Sequence, residues 1–92
     1  MSSEKIVVFG AMWCGDCRRA KSFFDSFNVP YEWVDVDADP SAAQKVIEIN
    51  RGMRSIPTII FPDGSVLVEP SNLELARKLG IGASAGAYPV RP

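Results

Sequence analysis

The sequence predicts one α/β domain with the element order βαβαββα, a four-stranded mixed sheet with three helices, and three observations predict it. Runs rich in β-branched and aromatic residues alternate with stretches whose apolar residues recur at helical spacing. Helix starts and stops punctuate those stretches, Asp39-Pro40 and Ser71 as starts, Gly52 and Gly80 as stops. Pro62-Asp63-Gly64 lies between the last two strand runs as a hairpin turn.

The first strand is Lys5 to Phe9, and Gly10-Ala11-Met12 can turn from it into a helix that starts near Cys14. Both cysteines, Cys14 and Cys17, therefore sit at a strand-to-helix junction. Phe23, Phe24 and Phe27 form the apolar stripe of the first helix, Gly15 to Phe27, and Asn28-Val29-Pro30 stops it. Tyr31 to Asp35 is the second strand. Ala42, Ala43, Val46, Ile47 and Ile49 give the second helix its buried stripe, with Gly52 at the C-terminal cap. Ile56-Pro57-Thr58 opens a third strand that runs to Phe61, and the turn leads into a fourth, Val66 to Val68. Ser71 caps the last helix, which runs through Leu79 with Leu73, Ala76 and Leu79 inward and Gly80 as its stop.

A βαβ crossover requires parallel pairing of the first two strands, and the hairpin then adds antiparallel neighbours, leaving helices on both faces. Residues 1–80 form this domain. Residues 81–92 are rich in Gly, Ala and Pro without a periodic apolar face, too little to offset their ordering entropy, and read as a flexible tail.

Composition narrows the function. The chain has 92 residues and 47% hydrophobic content, enough for one core and too little for a second domain. Ten basic residues against eleven acidic ones give a net charge of -1, which argues against a nucleic-acid partner. The polar start leads into only Ile6 to Phe9, too short for a signal-peptide core or a membrane span, so a cytoplasmic chain with no membrane partner is expected. A monomer is the expected state.

Chemistry concentrates in Trp13-Cys14-Gly15-Asp16-Cys17. In a reducing compartment two cysteines three positions apart point to a catalytic or metal-binding pair rather than a structural disulfide. At a helix start the first sulfur is exposed and the second tucked beneath it, within bridging reach. Unpaired amides and the positive helix end favour anionic sulfur at Cys14, and the Asp16 carboxylate opposes this by a comparable amount. Cys14 is thus the attacking thiol and Cys17 the resolving one. A zinc site would need four ligands, and the chain offers two cysteines and no histidine, so no metal and no bound cofactor are expected. Trp13 is read as a partly exposed platform for substrate beside the motif. Arg18, Arg19 and Lys21 are read as a solvated helix face that could also offset Asp16.

The motif resembles both the Trp-Cys-Gly-Pro-Cys of thioredoxins and the Cys-Pro-Tyr-Cys of glutaredoxins, and Arg54-Ser55-Ile56-Pro57-Thr58 looks like the Arg-Thr-Val-Pro segment of glutaredoxins. The resemblance spans about residues 5–80. Its short N-terminal strand points to glutaredoxin-like proteins, and the Asp-Gly-Ser…Pro-Ser ending to their mycoredoxin-like branch. The resemblance implies a thioredoxin-like fold, a cis bond before Pro57, and an Ile56 peptide group free to pair with extended substrate. It further implies a cradle for a small thiol, of glutathione or mycothiol type, around Arg54, Ile56, Pro57, Ser71 and Asn72, alongside Trp13 and Asp16. Helix-start amides near Ser71 and Asn72 are the expected anion donors. Ala11 and Met12 replace the usual glutaredoxin lysine, Asp16 the motif tyrosine, and Val68-Glu69-Pro70-Ser71-Asn72 the glycine-rich loop. A different low-molecular-weight thiol, or a thioredoxin-reductase-type flavoenzyme, is therefore an open alternative as electron donor. Disulfide-containing proteins are the expected substrates. Two other readings stand beside this one: a thioredoxin-fold binding module built on Trp13 and Pro57, and a thiol-ligated metal or iron–sulfur carrier.

Overall fold

The computed structural model describes residues 5–81. Its elements are β1 (Ile6–Gly10), α1 (Gly15–Ser26), β2 (Tyr31–Asp35), α2 (Pro40–Ile49), β3 (Thr58–Ile60), β4 (Val66–Val68) and α3 (Asn72–Leu79), the expected βαβαββα order. The sheet order is β2-β1-β3-β4. β1 runs parallel to β2, with Ile6 opposite Tyr31, and antiparallel to β3, with Val8 opposite Ile59. β3 and β4 form the antiparallel hairpin.

Alternation along β1 divides the core. Ile6 and Val8 pack with Ile59, with Ala20, Phe23 and Phe24 of α1, and with Leu75 and Ala76 of α3. Phe9 packs on the other face with Val36 and with Ala42 and Val46 of α2, against Val7, Ile56 and Ile60. Helices α1 and α3 thus cover one face and α2 the other, and β1, bonded on both edges, carries the chain through the middle to the cysteines.

Three local expectations are corrected. In α3 the fully buried leucine is Leu75, and Leu73 is 49% exposed. Steps of three residues fall about 60° short of a full turn, so Leu73 and Leu79 cannot share one narrow stripe, and Leu75, Ala76 and Leu79 take the core side instead. Gly52 does not cap α2. The cap is Asn50, Arg51 takes the left-handed position at φ 57°, and the Gly52 N–H closes the turn on the Ile47 carbonyl at 2.7 Å. Asn28, at φ 57°, ends α1 in the same way, with the Val29 N–H on the Phe24 carbonyl at 2.9 Å. Finally Ile81, assigned to the tail, packs against the α1/α3 side of the core, and its N–H meets the Ala76 carbonyl at 2.8 Å. The rest of the expected tail, residues 82–92, lies outside the described residues.

Ser71 caps α3 reciprocally: its hydroxyl accepts the Glu74 N–H at 3.1 Å while the Glu74 carboxylate accepts the Ser71 N–H at 2.8 Å. Replacing such a cap by alanine costs about 1 kcal/mol, so Ser71→Ala is expected to melt about 4 to 8 °C lower. A thermal melt followed by circular dichroism checks this, and an unchanged midpoint would show that the cap adds nothing. No helix among the described residues is long and apolar enough to cross a membrane.

Candidate active site

The end of β1 determines where the thiols lie. Gly10 is buried and its φ is not left-handed, so backbone freedom does not explain it; close approach does. A Cβ at this position would lie 2.9 Å from Cys17 Sγ, 3.1 Å from Cys17 Cβ and 2.9 Å from the Trp33 ring. Only a residue without a side chain lets α1 settle this close to the strand.

Beyond buried Ala11 the chain turns at Met12 and Trp13, with the Cys14 N–H on the Ala11 carbonyl at 3.1 Å. Cys14 is the N-cap of α1 in an extended conformation, and its sulfur accepts the Cys17 N–H at 3.2 Å. The sulfur thus takes the place of the usual hydroxyl or carboxylate cap. Cys14 is partly exposed and Cys17 wholly buried, both as free thiols. Burial, followed by hydrogen bonding with the Cys14 side chain, pushes the Cys17 thiol from the ordinary 9.0 up to about 12. The two sulfurs are chemically unequal: one is reachable, and the other stays protonated.

Two networks flank this pair. On one side Asp37 accepts the Trp13 indole N–H on one carboxylate oxygen at 2.6 Å and the Arg54 guanidinium on the other at 2.8 Å. Trp13 stands 69% exposed, with Met12 and Met53 exposed as well. On the other side Arg19 bonds the Asp16 carboxylate at 3.3 Å, the Asn72 side-chain oxygen at 2.8 Å and the Pro70 carbonyl at 3.1 Å, tying the start of α1 to the start of α3. The Ile56-Pro57 bond is cis, as expected, with Pro57 buried and its carbonyl accepting the Glu69 N–H at 2.8 Å.

The structure thus gathers Trp13 with Arg54, and Asp16 with Asn72. Two expectations change. The Ser71 amide, expected to receive an anion, is occupied by Glu74, and the Asn72 side chain is turned to Arg19. Arg19 meets Asp16, as the sequence allows, but is more than a solvated surface group, because the Asn72 side chain and the Pro70 carbonyl at the start of α3 give it two further acceptors that helix α1 alone does not reveal. Asp37 was not singled out in the sequence. Its signal lay in the Asp35-Val36-Asp37-Ala38-Asp39 run: Asp39 caps α2, Asp35 accepts the Asp37 N–H at 2.8 Å, and Asp37 alone has no local task for its carboxylate. Among the described residues no group of three or more His, Cys, Asp or Glu side chains is placed to hold a metal ion.

Fold and thiol pair together define a thioredoxin-like thiol–disulfide redox domain. A glutaredoxin family model matches residues 6–67, and the chain belongs to the glutaredoxin family. It is 30% identical to mycoredoxin 1 of Corynebacterium glutamicum over 76 residues, covering 83% of this chain and 94% of that one. Among solved structures, a thioredoxin-like protein matches with a TM-score of 0.69 at 30% identity, covering 79% of this chain and 97% of the other. A buckwheat glutaredoxin–glutathione complex matches with a TM-score of 0.62 at 25% identity, covering 82% and 69%.

Proposed function

We propose that the chain is a dithiol–disulfide oxidoreductase that reduces protein disulfides, or mixed disulfides between proteins and small thiols, with Cys14 as nucleophile and Cys17 as resolving thiol. The Cys14 thiolate attacks one sulfur of the substrate disulfide, forming a mixed disulfide and releasing the other substrate sulfur as thiolate. Cys17 then gives its proton to the departing group and attacks Cys14 Sγ, which closes the Cys14–Cys17 disulfide and frees the second substrate thiol. Two equivalents of a low-molecular-weight thiol restore the dithiol and leave as their own disulfide.

The observation that carries this reading is the inequality of the two sulfurs: Cys14 capping α1 with a partly exposed sulfur, Cys17 buried beneath it. Family membership supports the class of chemistry, and the glutathione bound to the buckwheat relative supports a small thiol as co-substrate. Trp13, Asp16, Arg54, Ile56, Pro57 and Asn72 are the proposed substrate contacts, with Ser71 contributing through the cap of α3. The proposed setting is the cytoplasm, where a thiol pair stays reduced, with the chain acting as a monomer.

The exposed Met12, Trp13 and Met53 favour a second reading, a binding module in which the thiols are incidental. One experiment separates the two. Wild type is assayed for reduction of insulin and of hydroxyethyl disulfide, with glutathione, mycothiol or bacillithiol as reductant, against a Cys14→Ser control. Turnover with at least one reductant that the control lacks is the expected result. Absence of turnover with all three would overturn the oxidoreductase reading in favour of the binding module.

A further inference from the structure

Granting the thiol–disulfide chemistry above, on which this rests, we propose that Asp37 is a specificity-determining residue: by occupying Arg54 it turns the site away from carboxylate-bearing thiols and toward small thiols that present hydroxyls or amides there.

Both Asp37 oxygens are engaged by groups from other segments, Trp13 Nε1 at 2.6 Å and Arg54 Nη2 at 2.8 Å. The backbone beneath is fixed as well. The Asp37 N–H is held by the Asp35 carboxylate, and the Val36 N–H by the Gly10 carbonyl at 3.0 Å, at the end of β1 that positions Cys17. Trp13 immediately precedes Cys14, so the Asp37–Arg54 pair is bonded to the residue next to the reactive cysteine.

The other arginines near the motif are committed too. Arg18 donates to the Met12 carbonyl at 2.7 Å, and Arg19 to Asp16, Asn72 and Pro70. A carboxylate entering beside Trp13 meets a guanidinium already neutralised and the negative charge of Asp37 behind it. A hydroxyl or amide can donate to the carboxylate and accept from the guanidinium, and so matches the pair without breaking it. A like charge at about 5 to 7 Å in a half-exposed site changes relative affinity about tenfold.

The test uses two probes that differ in their carboxylates: the mixed disulfide of pyridine-2-thiol with glutathione, and the same disulfide with glutathione dimethyl ester. Pre-reduced protein attacks the glutathione sulfur, forming the Cys14–glutathione disulfide and expelling pyridine-2-thione, whose absorbance gives the rate. Cys17 then closes the disulfide and releases the glutathione thiol, so no outside reductant is needed. The readout is the ratio of the glutathione rate to the ester rate for wild type, Asp37→Asn, and Asp37→Asn with Arg54→Gln, each confirmed folded by circular dichroism.

Wild type is expected to favour the ester. Asp37→Asn is expected to raise the ratio about tenfold, the double variant to lose that gain, and the gain to shrink near 1 M salt, where the Debye length is about 3 Å. A purely structural role for Asp37 would change both rates together, and a ratio constant within about twofold across the three proteins overturns the assignment. Wild type reacting with both probes no faster than free cysteine would instead overturn the oxidoreductase reading, and this assignment with it.

Discussion

Replacing Cys14 by serine is expected to abolish disulfide reduction, a loss of at least about a thousandfold, because a hydroxyl at the N-cap keeps the hydrogen bond from the Cys17 N–H but supplies no thiolate. Cys17→Ser is expected to behave differently. Attack still occurs, so the mixed disulfide with substrate accumulates and is trapped, most visibly with protein disulfides that offer no second small thiol. The same inequality can be read without substrate. A rise from 9.0 to about 12 leaves Cys17 with roughly a thousandth of the thiolate of an ordinary thiol at neutral pH. Limiting iodoacetamide on the folded, reduced protein should therefore label Cys14 alone, as read by peptide mass spectrometry, and label both once the chain is denatured. Equal labelling in the folded state would remove the assigned roles.

The raised Cys17 thiol also sets a pH dependence of stability. Between about pH 9 and pH 12 the folded chain binds more protons at this site than the unfolded one. Stability from this group is therefore complete below pH 9 and lost as pH rises through that window. Denaturant midpoints for reduced wild type should fall across this range more steeply than those of Cys17→Ala.

Gly10→Ala is expected to be the most damaging single-methyl change at the site. The added Cβ meets Cys17 on one side and the Trp33 ring on the other, both at 2.9 Å. The ring can rotate away, but Cys17 belongs to the first turn of α1, and moving it separates the two sulfurs. Overpacking of this kind costs about 1 to 3 kcal/mol, which lowers the melting temperature by roughly 5 to 20 °C. Closure of the Cys14–Cys17 disulfide by an oxidant should slow at the same time, which distinguishes this site from an ordinary core position. A melting temperature within a degree or two of wild type, with unchanged closure, would show that the strand and α1 are not in the close contact described here.

How far the sequence revealed this site depended on how local each feature was. The strand and helix order follows from periodicity and punctuation that act over five to ten residues, and all of it survives in the structure. The Cys14–Cys17 spacing declares itself within a single helical turn. Pro57 required the family resemblance, since its own neighbours say nothing about a cis bond. Asp37 was hidden because its partners, Trp13 and Arg54, lie 24 and 17 residues away, and nothing in an acidic loop announces which carboxylate reaches across. Arg19 is half legible for the same reason: Asp16 lies one turn away on α1, but its other two acceptors, Asn72 and the Pro70 carbonyl, lie more than fifty residues on, at the start of α3. Gly10 reads locally as part of a turn, whereas its reason is a sulfur seven positions later.

The direction of β1 and α3 bears on how this domain can be used. β1 arrives at the thiols with Gly10 and begins roughly 13 Å away at Ile6, while α3 starts beside Arg19 and ends about 12 Å off at Leu79. Lys5 and Ile81 therefore leave from the pole opposite the reactive sulfur. Surface attachment at Lys5 or Ile81 should leave that sulfur open to large protein substrates, whereas a tether inserted in the segment between β2 and α2 would enter beside Asp37, which holds the Trp13 ring next to Cys14.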